Sequence, residues 1–157
     1  MADTPGVGDG APEFALRAHH GGIVALTSLT ARGPILVAFY PDDKSSAAAK
    51  GLSALRDASQ ALRDAGCETV AIGRGTVESH ALLAGRLRLP FALLVDTDGA
   101  TAKRWGVTRA SLGGARATFL VDEKGVVRFA QHERLPRSRD RTAEILLVLQ
   151  EIRRLGG

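Results

Sequence analysis

The sequence predicts a single α/β domain in which helices flank a mixed β-sheet. Short apolar runs typical of buried strands alternate with helical periodicity through the middle of the chain, and a hairpin pattern precedes the last helix. The length of 157 residues fits one hydrophobic core. Because no repeat and no linker-like composition divides the chain, we predict one domain over residues 1–157, with residues 1–10 as a loose leader.

The predicted elements follow one another closely. In chain order they are a hairpin formed by residues 14–16 and 23–26, a strand over 35–40, a helix over 46–65, a strand over 69–72, a helix over 77–87, a strand over 91–95, a short helix over 101–105, a hairpin formed by 118–121 and 127–130, and a helix from 141 to about 155. The thioredoxin fold, with right-handed crossovers, is the simplest architecture that matches this order.

The strand predictions depend on short, bounded apolar runs. The first hairpin has two adjacent glycines for its turn, which places His19 and His20 at its tip. Residues 35–40 are continuously apolar, as expected for a central strand that is buried on both faces. The second hairpin has the turn-like segment 122–125 between its two strands.

The helix predictions depend on apolar periodicity. Within residues 46–65, apolar side chains recur at intervals of three and four, and Gly66 follows as a stop signal. Ser46 is expected to cap the amino end of this helix by accepting a hydrogen bond from a backbone amide. The last helix is amphipathic, and the large aromatic residues Phe91 and Trp105 are expected to fill the core or its rim.

Composition and charge exclude several classes of function. The net charge of +4 comes mainly from arginine, and the clusters at 134–141 and 153–154 lack interleaved aromatic residues, so no nucleic-acid partner is expected. No apolar run approaches the roughly 18–20 residues that cross a bilayer, and the first ten residues do not resemble a secretory signal. We therefore expect a cytoplasmic protein without membrane contact. The single cysteine, Cys67, cannot form an internal disulfide.

The four histidines are expected to be solvated surface residues. His19 and His20 are adjacent, His80 falls in a predicted helix and His132 in a predicted loop, and no carboxylate stands at ligand spacing from them. The expectation is therefore a protein that holds no metal ion and no other cofactor.

Several short motifs connect the chain to a known family through their order and spacing. They are residues 7–14 (VGDGAPEF), 39–41 (FYP), 78–80 (ESH), 89–91 (LPF) with 94–96 (LVD), 102–107 (AKRWGV) and 116–122 (RATFLVD). As an ordered set they resemble the peroxiredoxin superfamily (AhpC/TSA), and within it the Q-type, or bacterioferritin-comigratory, proteins. The resemblance covers nearly the whole chain. It implies a thioredoxin-type fold and an antioxidant oxidoreductase with thioredoxin-dependent peroxidase activity.

The resemblance also implies an active site, one part of which is missing. In the family a proline, a threonine or serine four residues later, a peroxidatic cysteine three residues further and a distant arginine act together, and the matching residues are Pro41, Ser45, Ala48 and Arg116. Arg116 and a helix amino terminus would stabilise a thiolate, Ser45 would hydrogen-bond the peroxide, and Pro41 would shield the site. Because Ala48 has no nucleophile, peroxide reduction by this route is not expected.

No other cysteine can replace the missing one. Cys67 follows a predicted helix of about twenty residues, which at 1.5 Å per residue is roughly 30 Å long. It is expected to be a small core or strand-edge residue. Some Q-type members have a resolving cysteine five residues after the first, and that position here is Ser53.

Three functions stay open from the sequence. The first is a degenerate peroxiredoxin-like protein that binds a peroxide or small anion through Tyr40, Ser45 and Arg116. The second is a thiol peroxidase, acting on hydrogen peroxide or organic hydroperoxides with a thioredoxin-like reductant, whose cysteine has been replaced by Ala48. The third is an enzyme that uses the pocket for other chemistry, although no acid–base pair is visible around it. Residues 45–51 retain only a hydroxyl and a lysine of the family motif, which favours the first. Both a monomer and a homodimer fit the sequence.

Overall fold

The computed structural model describes residues 4–42, 46–107, 116–133 and 141–156, with the backbone alone described at residues 116 and 133. In chain order the elements are β1 (Ala15–Arg17), β2 (Ile23–Ala25), α1 (Leu26–Thr30), β3 (Ile35–Asp42), α2 (Ser46–Asp64), β4 (Glu68–Arg74), α3 (Val77–Leu87), β5 (Ala92–Val95), α4 (Ala100–Arg104), β6 (Arg116–Val121), β7 (Val127–Glu133) and α5 (Thr142–Gly156).

The main sheet has the strand order β5-β4-β3-β6-β7, and β1 and β2 form a separate hairpin. Neighbouring strands are parallel from β3 to β5, whereas β6 is antiparallel to both β3 and β7. Seven of the eight residues of β3 are buried, because helices or the hairpin cover both faces of this central strand. The predicted thioredoxin-type fold, with a mixed sheet and an amino-terminal hairpin, is confirmed.

The side chains of the sheet alternate between two apolar clusters. On one face, residues such as Leu36 and Tyr40 pack with α2, α3 and α5. On the other face, Phe39 and Phe119 surround the fully buried Trp105, with ring centroids 5.4 and 5.1 Å from it. Each aromatic pair of this kind contributes about 0.5–1.5 kcal/mol beyond the burial of its surface. The predicted core positions of Trp105 and Phe91 are confirmed.

The structure differs from the predicted elements in four places. Leu26, expected in the second strand of the hairpin, begins the five-residue helix α1, which is too short to leave a periodic pattern. Ser46 is the first residue of α2 and not a cap that precedes it. His132 lies in β7 because its pairing with β6 extends the strand. Part of the leader that was expected to be loose makes backbone hydrogen bonds, since residues 8–10 pair with residues 126–127 at the start of β7.

Within the described ranges, no helix is long and apolar enough to cross a membrane.

His19 closes the outer edge of β5. Its backbone amide donates to the Leu93 carbonyl at 2.9 Å, and its ring Nδ1 accepts from the Leu93 amide at 3.0 Å. The ring must leave Nδ1 without a proton to accept this bond. Partial burial, with the nearby His20 and His80, lowers the pKa of His19.

Acidification is expected to destabilise the protein through His19. Because its pKa is lowered from 6.5 in the folded chain, the unfolded chain binds more protons just below that pH. The contribution of His19 to the free energy of unfolding is therefore complete above pH 6.5, falls as the pH drops, and levels off below the folded pKa. Urea unfolding across this range should show a flatter profile for His19→Asn, whose amide oxygen accepts without titrating. Identical profiles for His19→Asn and the parent would disprove the assignment.

Candidate functional site

The residues that the family resemblance singles out lie at one end of the sheet. Pro41 is buried near the end of β3, and Ala48 follows in the first turn of α2. The backbone of Arg116 begins β6 at the same end, because β6 runs antiparallel to β3. Ser45 and the Arg116 side chain lie outside the described residues. The roles predicted for Ser45 and for the Arg116 guanidinium therefore stay predictions.

Ala48 offers only a buried methyl group to this end of the sheet. Its side chain belongs to the apolar cluster that includes Tyr40 and Leu52, and the residue is 3 % exposed. The first turn of a 19-residue helix is nevertheless an electrostatically favourable place for a negative charge, because the aligned peptide dipoles give that end of the helix a partial positive charge. The position would suit a thiolate, and the residue that occupies it cannot form one.

Cys67 is the only thiol in the sequence, and it lies in a different environment. It is 1 % exposed, just beyond the carboxyl end of α2, so most of the length of that helix, about 24 Å from residue 48 to residue 64, separates it from Ala48. Burial raises the pKa of Cys67 to about 12, and its Sγ donates to the Glu68 carbonyl at 3.4 Å. The predicted role of Cys67 as a core residue agrees with this burial.

Tyr40, which precedes Pro41 in the chain, forms a buried hydrogen-bonding pair with His80. The hydroxyl of Tyr40 is 2.9 Å from Nε2 of His80, and the same nitrogen is 3.1 Å from the carbonyl oxygen of Gly73. His80 is fully buried, so the prediction of a solvated histidine was wrong at this position. The sequence contains a signal, because His80 precedes Leu83 by three residues and therefore lies on the apolar face of α3.

The backbone of Gly73 packs closely against the Tyr40 ring. A Cβ atom built at Gly73 would lie 2.3 Å from Cε2 of Tyr40 and within 2.6 Å of two further ring atoms. Only glycine permits so close an approach of a ring to the backbone. The regular pairing of β3 with β4 also shifts between Phe39 and Asp42, at the point where this ring packs. Tyr40 therefore directs its hydroxyl inward to His80, and its predicted ligand-binding role stays a prediction.

The other three histidines lie outside the Tyr40–His80 pair. His20 and His132 are exposed, as expected, whereas His19 is partly buried against β5. Among the residues that the structure describes, no group of three histidine, cysteine, aspartate or glutamate side chains could hold a metal ion.

Comparisons with known proteins agree with this fold and with the motifs. Residues 7–130 match the AhpC/TSA family. The chloroplastic peroxiredoxin Q of Oryza sativa subsp. japonica is 32% identical over 147 residues, which cover 92% of this chain and 67% of the rice protein. The crystal structure of peroxidoxin BcpB from Mycobacterium tuberculosis has a TM-score of 0.81 at 27% identity, covering 94% of this chain and 98% of that one. Peroxiredoxin Q of Xanthomonas campestris shares the fold, with a TM-score of 0.74 at 21% identity over 88% of this chain and 90% of that one. The chain therefore belongs to the AhpC/TSA family and is a Q-type peroxiredoxin by fold and by sequence.

Proposed function

We propose that this chain is a peroxiredoxin-family protein that has lost thiol-based peroxide reduction and retains the pocket at the amino end of α2 for binding. The observation that carries the proposal is the buried methyl group of Ala48 in the first turn of that helix. The pocket position is favourable for an anion, but the atom that would attack a peroxide is absent.

The chemistry of the family requires a thiolate at this position. A thiolate sulfur attacks one peroxide oxygen, the O–O bond breaks, the cysteine becomes a sulfenic acid and the second oxygen leaves as water or an alcohol. Alanine has no lone pair with which to begin this displacement. Burial raises the pKa of Cys67 to about 12, so its thiol is protonated at neutral pH, and the residue is enclosed by the core.

The retained features support binding of a small anion or peroxide. The amino end of α2 carries the positive end of the helix dipole, and Arg116 begins the neighbouring strand at the same end of the sheet. A guanidinium that faces the pocket would add the charge-assisted hydrogen bonds that arginine makes with oxyanions. In this role the protein would need no thioredoxin-like reductant, because no disulfide or sulfenic acid forms.

Hydrogen peroxide consumption tests the proposal directly. With thioredoxin and its reductase present, the parent and Cys67→Ser should consume peroxide at the same background rate. Ala48→Cys should turn over at least about a hundredfold faster, because the helix terminus favours the thiolate that the chemistry needs. Ala49→Cys, one residue further along the same turn, is the matched control and should stay near background.

Two results would contradict the proposal. If the parent consumes peroxide and Cys67→Ser does not, the buried thiol of Cys67 takes part in the reaction. A slow Ala48→Cys variant with a native circular dichroism spectrum would instead show that the pocket around position 48 has diverged as well, which would remove the argument for a retained site.

Family membership supports a second candidate function, a thiol-dependent peroxidase in which alanine has replaced the natural cysteine. In that case hydrogen peroxide or an organic hydroperoxide would be the substrate and a thioredoxin-like protein the reductant. The codon for residue 48 in the natural gene distinguishes the two candidates. An alanine codon supports the first, and a cysteine codon replaces it with the second.

A further inference from the structure

A crevice of about 230 Å³ opens beside the carboxyl ends of β3, β4 and β5. Its floor is apolar and consists of the buried side chains of Phe39, Ile72 and Val107. Clefts at the carboxyl ends of parallel strands are common ligand sites, because the loops that leave those strands surround an open space. Tyr40 and Pro41 also line the crevice, so it adjoins the family site at this end of the sheet, but Ala48 is not among its described lining residues.

The charged groups around the crevice divide into two kinds. Asp96 is 2 % exposed and accepts two backbone amides of α4 at 3.0 and 3.1 Å, and Asp98 accepts another backbone amide at 3.0 Å. Arg74 and Lys103 are exposed, and their side chains make no hydrogen bond or ion pair with any described residue. The carboxylates are thus engaged by the protein's own backbone, whereas the two cations are available to a ligand.

We propose that this crevice binds a small organic carboxylate, with the carboxylate at Arg74 and Lys103 and a short apolar body over the floor. The planar guanidinium of Arg74 can donate hydrogen bonds to both oxygens of a carboxylate, and the ammonium group of Lys103 adds a second positive charge. Hexanoate, which joins one carboxylate to a short apolar chain, is a suitable probe for a crevice of about 230 Å³. The crevice shares Tyr40 and Pro41 with the family site, but the groups proposed to hold the carboxylate are Arg74 and Lys103, so this proposal does not require the loss of peroxide reduction.

Titration of the parent protein with hexanoate, followed by two-dimensional amide NMR, tests the site. The amide signals of Gly73 and Gly99, which line the crevice, should shift and saturate in the millimolar range. Hexylamine has the same apolar chain with the opposite charge, and acetate has the charge without the chain. Both should bind at least about tenfold more weakly than hexanoate, and added salt should weaken hexanoate binding.

Charge variants identify the residues that carry the binding. Arg74→Gln/Lys103→Gln should weaken hexanoate binding at least about tenfold. Arg32→Gln/Arg86→Gln removes the same charge from exposed positions outside the crevice lining and should leave the affinity unchanged. The proposal would be overturned if hexylamine bound as tightly as hexanoate, or if Arg74→Gln/Lys103→Gln left the affinity unchanged. It would also be overturned if the amide signals shifted only on another surface or did not shift at all. None of these outcomes depends on peroxide turnover, so the two proposals fail separately.

Discussion

Replacing Gly73 with alanine is expected to lower the free energy of unfolding by about 3 kcal/mol. The added methyl group would lie 2.3 Å from the Tyr40 ring, which is 5 % exposed and cannot move aside without opening the core. Displacement of the ring would also lengthen the 2.9 Å contact between the Tyr40 hydroxyl and His80. Urea unfolding monitored by far-ultraviolet circular dichroism measures the loss.

The chain provides a matched control for this substitution. Gly85 lies inside α3, and a Cβ atom built there meets nothing within 4 Å. Gly85→Ala should therefore stabilise the protein by about 0.5–1 kcal/mol, because alanine is a better helix former than glycine. If Gly73→Ala proved as stable as Gly85→Ala, the close packing of Tyr40 on the β4 backbone would be incorrect.

His80→Leu is expected to cost about 2–3 kcal/mol, although leucine is apolar and similar in size. The substitution removes the 2.9 Å contact of the Tyr40 hydroxyl and the 3.1 Å contact of the Gly73 carbonyl, which keeps its bond from the Asp96 amide, in a fully buried position. Tyr40→Phe alone should cost about 1 kcal/mol for the same hydrogen bond. In the His80→Leu background, however, Tyr40→Phe should cost less than in the parent, since the contact with His80 is already absent.

The double-mutant cycle distinguishes a direct interaction between Tyr40 and His80 from a general loss of packing. A coupling energy of about 1 kcal/mol between the two positions is expected. His20→Leu, an exposed histidine of the hairpin, should change stability by less than about 0.5 kcal/mol. Strict additivity of Tyr40→Phe and His80→Leu would mean that the 2.9 Å contact contributes nothing to stability.

The candidate site could be predicted from the sequence only in part. The order of local motifs places Pro41, Ala48 and Arg116 in one family pattern, and the structure brings the backbone of all three to one end of the sheet. His80 was missed because a lone histidine in a helix is usually solvated. The decisive fact was its place on the apolar face of α3, three residues before Leu83.

By itself, the sequence determined the fold class, the family and the missing nucleophile. Continuous apolar runs and helical periodicity are local properties, so β3 and α3 appear in the structure close to where the pattern predicts them. The lack of a thiolate at position 48 is a matter of covalent composition and needs no structure.

Only the tertiary structure decided the burial of His80, the closing of the β5 edge by His19 and the crevice beside Arg74 and Lys103. Each depends on contacts between residues far apart in the chain, such as the pair Tyr40 and His80, forty positions apart. Their geometry follows from strand register, including the shift between Phe39 and Asp42, and from how helices pack on the sheet. Side-chain contacts of this kind are set by the packing of whole elements, which no local pattern of residues specifies.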